Sequence, residues 1–330
     1  MKQSDSEIML TGGVKTRPSL RDKQIDGLKF ILIFLVVLGH IRQPDYSAIW
    51  TKWIYSFHMP AFIFISGYFS SPDTSWAKLW KWLKRIALIY IIVQITHNLI
   101  YVAAGWELGR AGWLGIFPQF GLWYLMSLAY WRFALKIVAN RVSDTCLLIT
   151  SFVLSLLVGF IPIDQYLSFQ RTFTFLPFFV LGYYFKRHNL VAALERTPYW
   201  ISAVLFALAI FVSTYLPNYV PHHHYDSYSD MPILLAQLSL AVVLCVALFR
   251  LSRVKLIEPL ARFGKYTLWV YIGHSYFILT QSAILQHYGF KFDLWNGILM
   301  SALYVAIATS LAIFYEKLSH PTDIATVSSN

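Results

Sequence analysis

Long apolar segments recur along this sequence from Phe30 almost to the C-terminus. Of the 330 residues, 57% are hydrophobic and only 13% are charged, which leaves too little polar surface for a soluble domain of this length. The apolar runs are continuous rather than alternating, so they favour membrane-spanning helices over the strands of a transmembrane barrel. The sequence therefore predicts an all-α, polytopic transmembrane helix bundle.

The apolar segments predict about ten spans of roughly 20 residues or slightly fewer. We expect the sixth segment to be short, and either little tilted or locally broken. The transmembrane domain is predicted over residues 25–318, between tails over residues 1–24 and 319–330. The segments start near Gln24, Thr51, Leu83, Gly121, Thr145, Arg171, Tyr199, Pro232, Tyr266 and Leu294.

The distribution of basic residues predicts the orientation of these spans. With the N-terminus inside, 22 of the 27 lysine and arginine residues lie on the inner side and five lie outside. Because cytoplasmic loops are enriched in lysine and arginine, this bias predicts that both termini, and hence both tails, are cytoplasmic. The net charge of +11 is largely this bias, so the expected partners include membrane lipids but no nucleic acid.

The first span, DGLKFILIFLVVLGH, carries three ionisable groups beside its apolar run. Residues 30–39 are apolar or glycine, so a span of about 20 residues must draw in Asp26, Lys29 and His40. Lys29 and His40 are eleven residues apart, which places them on one helical face about 16 Å apart along the axis. Asp26 can pair with Lys29 one turn away. Such groups usually mark function, although snorkelling of Lys29 and a satisfied core histidine at His40 remain open.

The second span contains FHMPAFIFISGYF, which strengthens the functional interpretation. His58 and His40 fall near the outer ends of adjacent antiparallel helices, and this predicts a polar chamber between them. Pro60 removes a backbone donor and leaves carbonyl groups to be satisfied by neighbours or water. Ser66 and Gly67 are small, so we expect close helix packing at that level.

The sequence predicts no metal site and no bound cofactor. The two cysteines have no metal-type or redox spacing. The histidine tract at residues 222–224 is interpreted as a solvated loop, because no second cluster of ligands accompanies it.

Six segments, in order, resemble the acyltransferase-3 family of integral-membrane O-acyltransferases, over residues 20–318. The fifth looks like the subgroup described as fucose 4-O-acetylase-like. The six segments are the Asp26-x-x-Lys29-x10-His40 motif followed by FHMPAFIFISGY, then KRIALIY, LWYLMSLAYWR, QRTFTFLPFFVLGYYF and GKYTLWVYIGH.

The resemblance implies a multi-pass enzyme of the bacterial plasma (inner) membrane. It implies that cytosolic acyl-CoA, most often acetyl-CoA, gives its acyl group to a hydroxyl of an extracytoplasmic glycan or lipid-linked sugar. The family's essential basic residue and histidine correspond here to Lys29 and His40. The family often has arginine where Lys29 stands, so bidentate pairing is lost at this position.

Acyl transfer to a hydroxyl needs a base for its proton and donors for the tetrahedral oxyanion. We expect His40 to be the general base for direct attack on the thioester. A covalent acyl-His40 intermediate is the alternative. Ser66 is a weaker candidate nucleophile, because helix packing explains it better.

Basic residues are candidates for binding the two substrates. Lys84 and Arg85 lie in the densest inner loop and are predicted to hold CoA phosphates, although the positive-inside bias explains most of that cluster. Arg171 begins the sixth span on the outer side, against the charge bias. We expect it to contact the oxyanion or the acceptor glycan, with snorkelling to lipid headgroups as the alternative.

Aromatic and histidine side chains complete the candidate site. Trp123 can stack on a sugar or on the pantetheine arm, although a plain interfacial aromatic explains it better. Tyr271 and His274 share a helical stripe, so His274 is predicted to face the bundle, in a structural or a site role. His97 is expected to form an interhelical hydrogen bond.

Three functional classes fit these observations. An integral-membrane O-acyltransferase is the first prediction. The alternative is a membrane transporter or flippase for a glycan or acyl compound, which would also need intramembrane ionisable residues. A non-enzymatic sensor fits least, because neither an extracellular binding domain nor a signalling tail is evident.

Overall fold

The computed structural model describes residues 22–41, 49–107, 112, 114–217, 223–288 and 294–319, with backbone only for residues 282–283 and 285–288. All regular secondary structure in the described residues is helical, and these residues contain no strand. Three short 3-10 helices occupy Val158–Phe160, Tyr166–Ser168 and Lys255–Leu260. The α-helices are α1 (Lys23–Ile41), α2 (Ile49–Tyr68), α3 (Trp76–Ala103), α4 (Leu122–Val138), α5 (Asp144–Leu157), α6 (Phe169–Thr174), α7 (Leu176–Arg187), α8 (Leu190–Glu195), α9 (Tyr199–Ser213), α10 (Asp230–Leu251), α11 (Ala261–Gly264), α12 (Thr267–Tyr288) and α13 (Leu294–Ser319).

Each of the ten predicted segments contains a helix, and the all-helical architecture is confirmed. Among the described residues, four helices, α1, α3, α10 and α13, are long and apolar enough to cross a membrane by length and composition. Others are shorter, such as α9, or carry polar groups, as α2 carries Lys52 and His58. The sixth segment is broken at Phe175 between α6 and α7, and Pro177 lies in the first turn of α7, where a missing N–H is tolerated.

Small residues bring α2 and α7 into close contact. A Cβ atom at Gly67 would collide with the carbonyl oxygen of Phe179, and a Cβ atom at Gly182 would collide with that of Phe64. These two backbones therefore approach more closely than any larger side chain would permit. The predicted close packing at Gly67 is confirmed.

The first helix forms the centre of the bundle, and α3 lies at its edge. The helix α1 packs against α2, α12, α13 and the short α11. In contrast, α3 exposes Leu88, Ile92, Ile95 and Leu99, which share one helical face. An apolar face of this kind suits contact with lipid chains.

Several sequence predictions concern residues that the structure does not describe. Arg42, Arg110, Lys291 and His222 lie outside the described residues. The same holds for residues 1–21 and 320–330, which make up nearly all of the two predicted tails.

Candidate active site

A cavity of about 340 Å³ lies at one end of the bundle. It is bounded by the C-terminal ends of α1 and α9 and by the N-terminal parts of α2, α4 and α10. These ends fall together because consecutive long segments run in opposite directions. In the predicted orientation, this end is the outer one. The cavity has a polar wall and an apolar wall, the latter formed mainly by Val36, Met59, Phe175, Phe178, Leu234, Leu238 and Ala241.

The polar wall begins with His40 and Tyr55. The Tyr55 hydroxyl lies 3.4 Å from Nδ1 of His40 and donates a hydrogen bond to the carbonyl oxygen of Gly39 at 3.2 Å. The rings of His40 and Tyr55 meet edge to face, with 6.1 Å between their centres. His40 is partly exposed, in contrast to the fully buried Val36 one turn earlier. The imidazole at the end of the first span therefore faces the cavity.

His58 lies next to this pair and is buried. Its Nδ1 lies 2.7 Å from the carbonyl oxygen of Ile54, and because a carbonyl only accepts, Nδ1 carries the hydrogen. Its neutral ring therefore keeps a lone pair on Nε2. Tyr55 stands between the two histidines, with 4.9 Å between the ring centres of Tyr55 and His58. The polar chamber predicted from His40 and His58 is thus present.

Arg171 projects into the same cavity from α6. Its guanidinium carbon lies 5.1 Å above the centre of the Trp123 ring. The preceding turn places Leu167 and Ser168 in left-handed backbone conformations, and the Ser168 hydroxyl donates to the Trp123 carbonyl oxygen at 3.2 Å. This link between α4 and the start of α6 holds the arginine and the indole together.

Tyr271 connects α12 to the start of α4. Its hydroxyl donates to the carbonyl oxygen of Gly121 at 2.5 Å, and its ring lies 5.4 Å from that of Tyr124. The Tyr124 hydroxyl in turn lies 2.6 Å from Ser66 Oγ. Ser66 therefore joins two helices and lies outside the cavity wall, which agrees with the packing role that the sequence favoured for it.

His274 lies behind His40. The two ring centres are 5.7 Å apart, and Phe120 packs against both rings at 5.4 Å and 6.3 Å. His274 is 1% exposed and does not line the cavity. The predicted inward orientation of His274 is confirmed, and its nearest functional neighbour is His40.

A buried amide network supports the loop that carries Phe120. Gln94 Oε1 accepts from the backbone N–H of Gln119 at 3.0 Å, and Gln94 Nε2 donates to the carbonyl oxygens of Gly112 and Phe117 at 3.1 and 3.2 Å. Phe120 itself has a left-handed backbone, with φ of 51°. The amide of Gln94 thus stabilises an unusual turn whose aromatic ring closes the site around His40.

Lys29 and Asp26 lie at the opposite end of α1. Their charged groups pair at 2.5 Å, as the spacing of three residues predicts, and Asp26 is buried. The Lys29 ammonium group lies 5.6 Å from the centre of the Phe69 ring, and that of Lys186 lies 5.9 Å from the same centre. The two lysines therefore flank one exposed aromatic ring at the predicted inner end of the bundle.

Lys84 and Arg85 were predicted in an inner loop, but α3 already begins at Trp76, so both lie on this helix. They are exposed and are not part of the cavity wall. The structure thus separates three groups of predicted site residues. His40, His58, Trp123, Arg171 and Tyr271 line the cavity, and His274 adjoins it. Asp26 and Lys29 lie at the opposite end of α1 from the cavity, and Lys84 and Arg85 lie on the exposed surface of α3.

No group of three or more histidine, cysteine, aspartate or glutamate side chains in the described ranges is arranged to hold a metal ion.

His97 bonds Ser275 Oγ through Nε2 at 2.9 Å, so the predicted interhelical hydrogen bond between α3 and α12 is confirmed.

Comparison with known proteins assigns the chain to a family. The Acyltransferase domain family matches residues 22–317, which is nearly all of the described bundle. This chain belongs to the acyltransferase-3 family.

Two curated relatives of the acyltransferase-3 chain are both called nodulation protein NolL. The protein from Mesorhizobium japonicum is 26% identical over 302 residues, covering 76% of this chain and 75% of the relative. The protein from Sinorhizobium fredii is 28% identical over 343 residues, covering 89% of this chain and 86% of the relative. No solved structure matches the chain.

Sequence reasoning missed two residues that pack against His40 in this acyltransferase-3 protein, namely Tyr55 in the cavity wall and Phe120 behind it. Tyr55 lies one turn before His58, and a polar aromatic at that spacing could have been assigned to the same face. Phe120 had no usable signal, because its position depends on a left-handed backbone in a loop.

Proposed function

We propose that this protein is an integral-membrane O-acyltransferase. It moves an acyl group from cytosolic acyl-CoA to a hydroxyl of an extracytoplasmic glycan or lipid-linked sugar. Acetyl is the first candidate for the acyl group. Membership of the acyltransferase-3 family supports the reaction class. The observation that carries the proposal is the position of His40, a partly exposed imidazole in a cavity that also contains Arg171 and Trp123.

His40 is proposed as the general base. It takes the proton of the acceptor hydroxyl while the hydroxyl oxygen attacks the thioester carbonyl carbon. The new C–O bond forms, the C–S bond breaks, and the proton passes from His40 to the CoA sulfur. Arg171 is proposed to stabilise the oxyanion that develops between these two steps. Trp123 offers an aromatic face against which a sugar ring or the pantetheine arm can stack.

The proposed topology has about ten spans with both termini in the cytoplasm of a bacterium, in its plasma (inner) membrane. Donor and acceptor then approach from opposite sides. Lys29 sits at the inner end of the helix that carries His40 at the outer end. Its pairing with Asp26 and its place beside Phe69 support a role at the donor entrance. Lys84 and Arg85 are proposed as more distant contacts for CoA phosphates.

The reaction can be tested with purified protein in nanodiscs. Release of free CoA thiol from acetyl-CoA is measured with and without envelope material from cells that lack the gene. Cell-surface glycans are compared by mass spectrometry for a lost acyl mass. Wild-type protein should release thiol and transfer the acyl group.

The variant His40→Ala should lower the rate by about 10²–10⁴-fold, the usual range for loss of a general base. The control His97→Ala removes a buried histidine outside the large cavity and should retain the chemistry if it folds. Normal surface acylation in a well-expressed His40→Ala strain would exclude the proposed base. Movement of a glycan across the membrane with acetyl-CoA left intact would instead support the transporter.

A further inference from the structure

A hydrogen bond to the helix backbone determines which of the two ring nitrogens of His274 carries the hydrogen. Its Nδ1 lies 2.5 Å from the carbonyl oxygen of Tyr271 in the preceding helical turn. A carbonyl oxygen only accepts, so Nδ1 carries the hydrogen and donates it. In the neutral ring, Nε2 therefore has a lone pair and no hydrogen. The helix backbone has selected one of the two tautomers of His274.

That lone pair has no donor in the described part of the protein. His274 is 1% exposed, and its Nε2 has no hydrogen-bond partner there. Buried polar atoms without partners are uncommon in folded proteins, and each such atom calls for an explanation. In this case the missing group must be a hydrogen-bond donor.

The rings around His274 identify the donor. Phe120 has no side-chain N–H or O–H group. Tyr271 has one hydroxyl hydrogen, and that hydrogen goes to the carbonyl oxygen of Gly121. Of the three rings that pack against His274, this leaves His40, whose imidazole carries an N–H. The ring centres of His40 and His274 are 5.7 Å apart. Hydrogen bonds between catalytic groups are often long without substrate and shorten in the reacting complex.

We infer that His274 is a positioning residue for His40 and accepts a hydrogen bond from Nε2–H of that ring. The inference rests on the proposed function of His40. With Nε2 holding the hydrogen, Nδ1 of His40 is the basic nitrogen. Nδ1 lies 3.4 Å from the Tyr55 hydroxyl, which can donate its one hydrogen either to the Nδ1 lone pair or to the Gly39 carbonyl oxygen. An acceptor hydroxyl that approaches Nδ1 replaces Tyr55 as the donor, and Tyr55 then keeps its bond to Gly39. His40 can therefore take a proton from an acceptor hydroxyl at Nδ1.

The same contact stabilises the charge that forms on His40. When the acceptor oxygen bonds to the thioester carbon, its proton moves to Nδ1 of His40, and the ring becomes an imidazolium with a more acidic Nε2–H. The lone pair of His274 receives that stronger donor. When the C–S bond breaks, the Nδ1 proton passes to the CoA sulfur and His40 returns to its neutral form. His274 itself gains and loses no proton.

This role predicts a specific kinetic pattern. A contact that strengthens only as His40 becomes charged acts on kcat and leaves substrate binding nearly unchanged. His274→Leu should lower kcat by at least about 100-fold, since a wrong tautomer of a catalytic histidine is known to cost up to about 10⁴-fold. The KM for acetyl-CoA should stay within about two-fold. His274→Gln offers an amide oxygen as acceptor and should recover at least about tenfold over His274→Leu.

The experiment uses the full chain in nanodiscs, radiolabelled acetyl-CoA and envelope membranes from a strain without the gene. Initial rates are measured for wild type, His274→Leu, His274→Gln and the control His97→Leu, with thermal unfolding of each. The control removes a buried histidine that bonds Ser275 and is expected to affect stability rather than kcat selectively. Nitrogen-15 NMR of histidine-labelled protein should show an unprotonated Nε2 that disappears in His274→Gln.

The outcomes separate the two proposals. A wild-type protein that transfers no label would overturn the proposed function, and the inference with it. An active wild type in which His274→Leu and His274→Gln lose kcat equally would overturn only the inference. A change in KM without a change in kcat would also overturn it, and so would a wild-type spectrum in which Nε2 of His274, assigned by its loss in His274→Gln, is protonated.

Discussion

The guanidinium group of Arg171 lies over the indole ring of Trp123, with 5.1 Å between the guanidinium carbon and the ring centre. Both side chains line the cavity that contains His40. The aromatic face and the Ser168 link restrict the arginine to one side of the cavity. A cation held in this way is suited to a charge that develops in the transition state.

We therefore expect Arg171→Ala to lower kcat by about 10²–10³-fold, the range seen when one oxyanion donor is removed. The KM for acetyl-CoA should be little changed, because the oxyanion does not exist in the bound donor. Single-turnover kinetics in nanodiscs would measure the chemical step. A variant that altered only acetyl-CoA binding would show that both the role and the assigned side of Arg171 are wrong.

At the other end of α1, Lys29→Arg should keep substantial activity, whereas Lys29→Ala and Lys29→Glu should not. Arginine preserves the charge that pairs with Asp26 and lies beside Phe69. Acetyl-CoA titrations of the three variants check this expectation, and Lys317→Ala serves as a control at an exposed lysine on α13. Equal activity in all three variants would reduce Lys29 to a snorkelling anchor.

Neutralising Lys84 and Arg85 together, each to glutamine, should raise the KM for acetyl-CoA and leave the acceptor KM unchanged. Both side chains are exposed, so the effect should shrink as salt rises and screens their charges. Steady-state kinetics at low and high ionic strength would show it. If Lys186→Gln raised the KM and the double variant did not, the donor would enter beside Phe69 rather than along α3.

The contact between α2 and α7 predicts a stability effect. Gly67→Ala or Gly182→Ala would drive a methyl group into a backbone carbonyl of the facing helix, and neither carbonyl can rotate away. We expect the free energy of unfolding to fall by about 1–3 kcal/mol or more, as at other overpacked sites. At Gly297 the nearest atoms are 3.5 and 3.6 Å away, so Gly297→Ala should be neutral or stabilising. Thermal unfolding in detergent compares the three; equal melting temperatures would contradict the packing argument.

Outside the helices, His224 and Asp164 predict a pH dependence. His224 Nδ1 lies 2.9 Å from Asp164 Oδ1, and this hydrogen bond and charge raise the pKa of His224. Burial tends to raise the pKa of Asp164, but the hydrogen bonds from His224 outweigh it and lower that pKa. The nearby His223 and Asp226 also act on the pair.

A raised histidine pKa stabilises the fold fully below the unfolded value of about 6.5, and this contribution is lost as pH rises through the folded value. The stability that comes from the lowered pKa of Asp164 is lost at acid pH, as the pH falls through that pKa. His224→Gln should therefore lower the melting temperature more at about pH 5.5 than at about pH 8.5. Asp226→Asn is the control, because its carboxylate is 4.0 Å away and exposed. A difference independent of pH would contradict the ion pair.

The sequence by itself determined the relationships that a single helix imposes. The spacing of three residues was enough to predict the pair of Asp26 and Lys29, and the spacing of eleven placed His40 on the same face. The short apolar run of the sixth segment left a local break as one of two expectations, and the close packing at Gly67 followed from its missing side chain. These relationships are local, because the turn of an α-helix fixes them without reference to the rest of the chain.

Only the tertiary structure decided which helical faces meet. Helical periodicity says that His274 faces inward, yet nothing in it pairs His274 with His40, which lies far away in the sequence. Phe120 reaches both rings through a left-handed turn that Gln94 supports from another helix. The contact of Ser66 with Tyr124 likewise depends on how α2 and α4 pack. The chemistry of each side chain is written in the sequence, whereas the meeting of side chains from separate helices depends on interhelical packing, which local geometry does not specify.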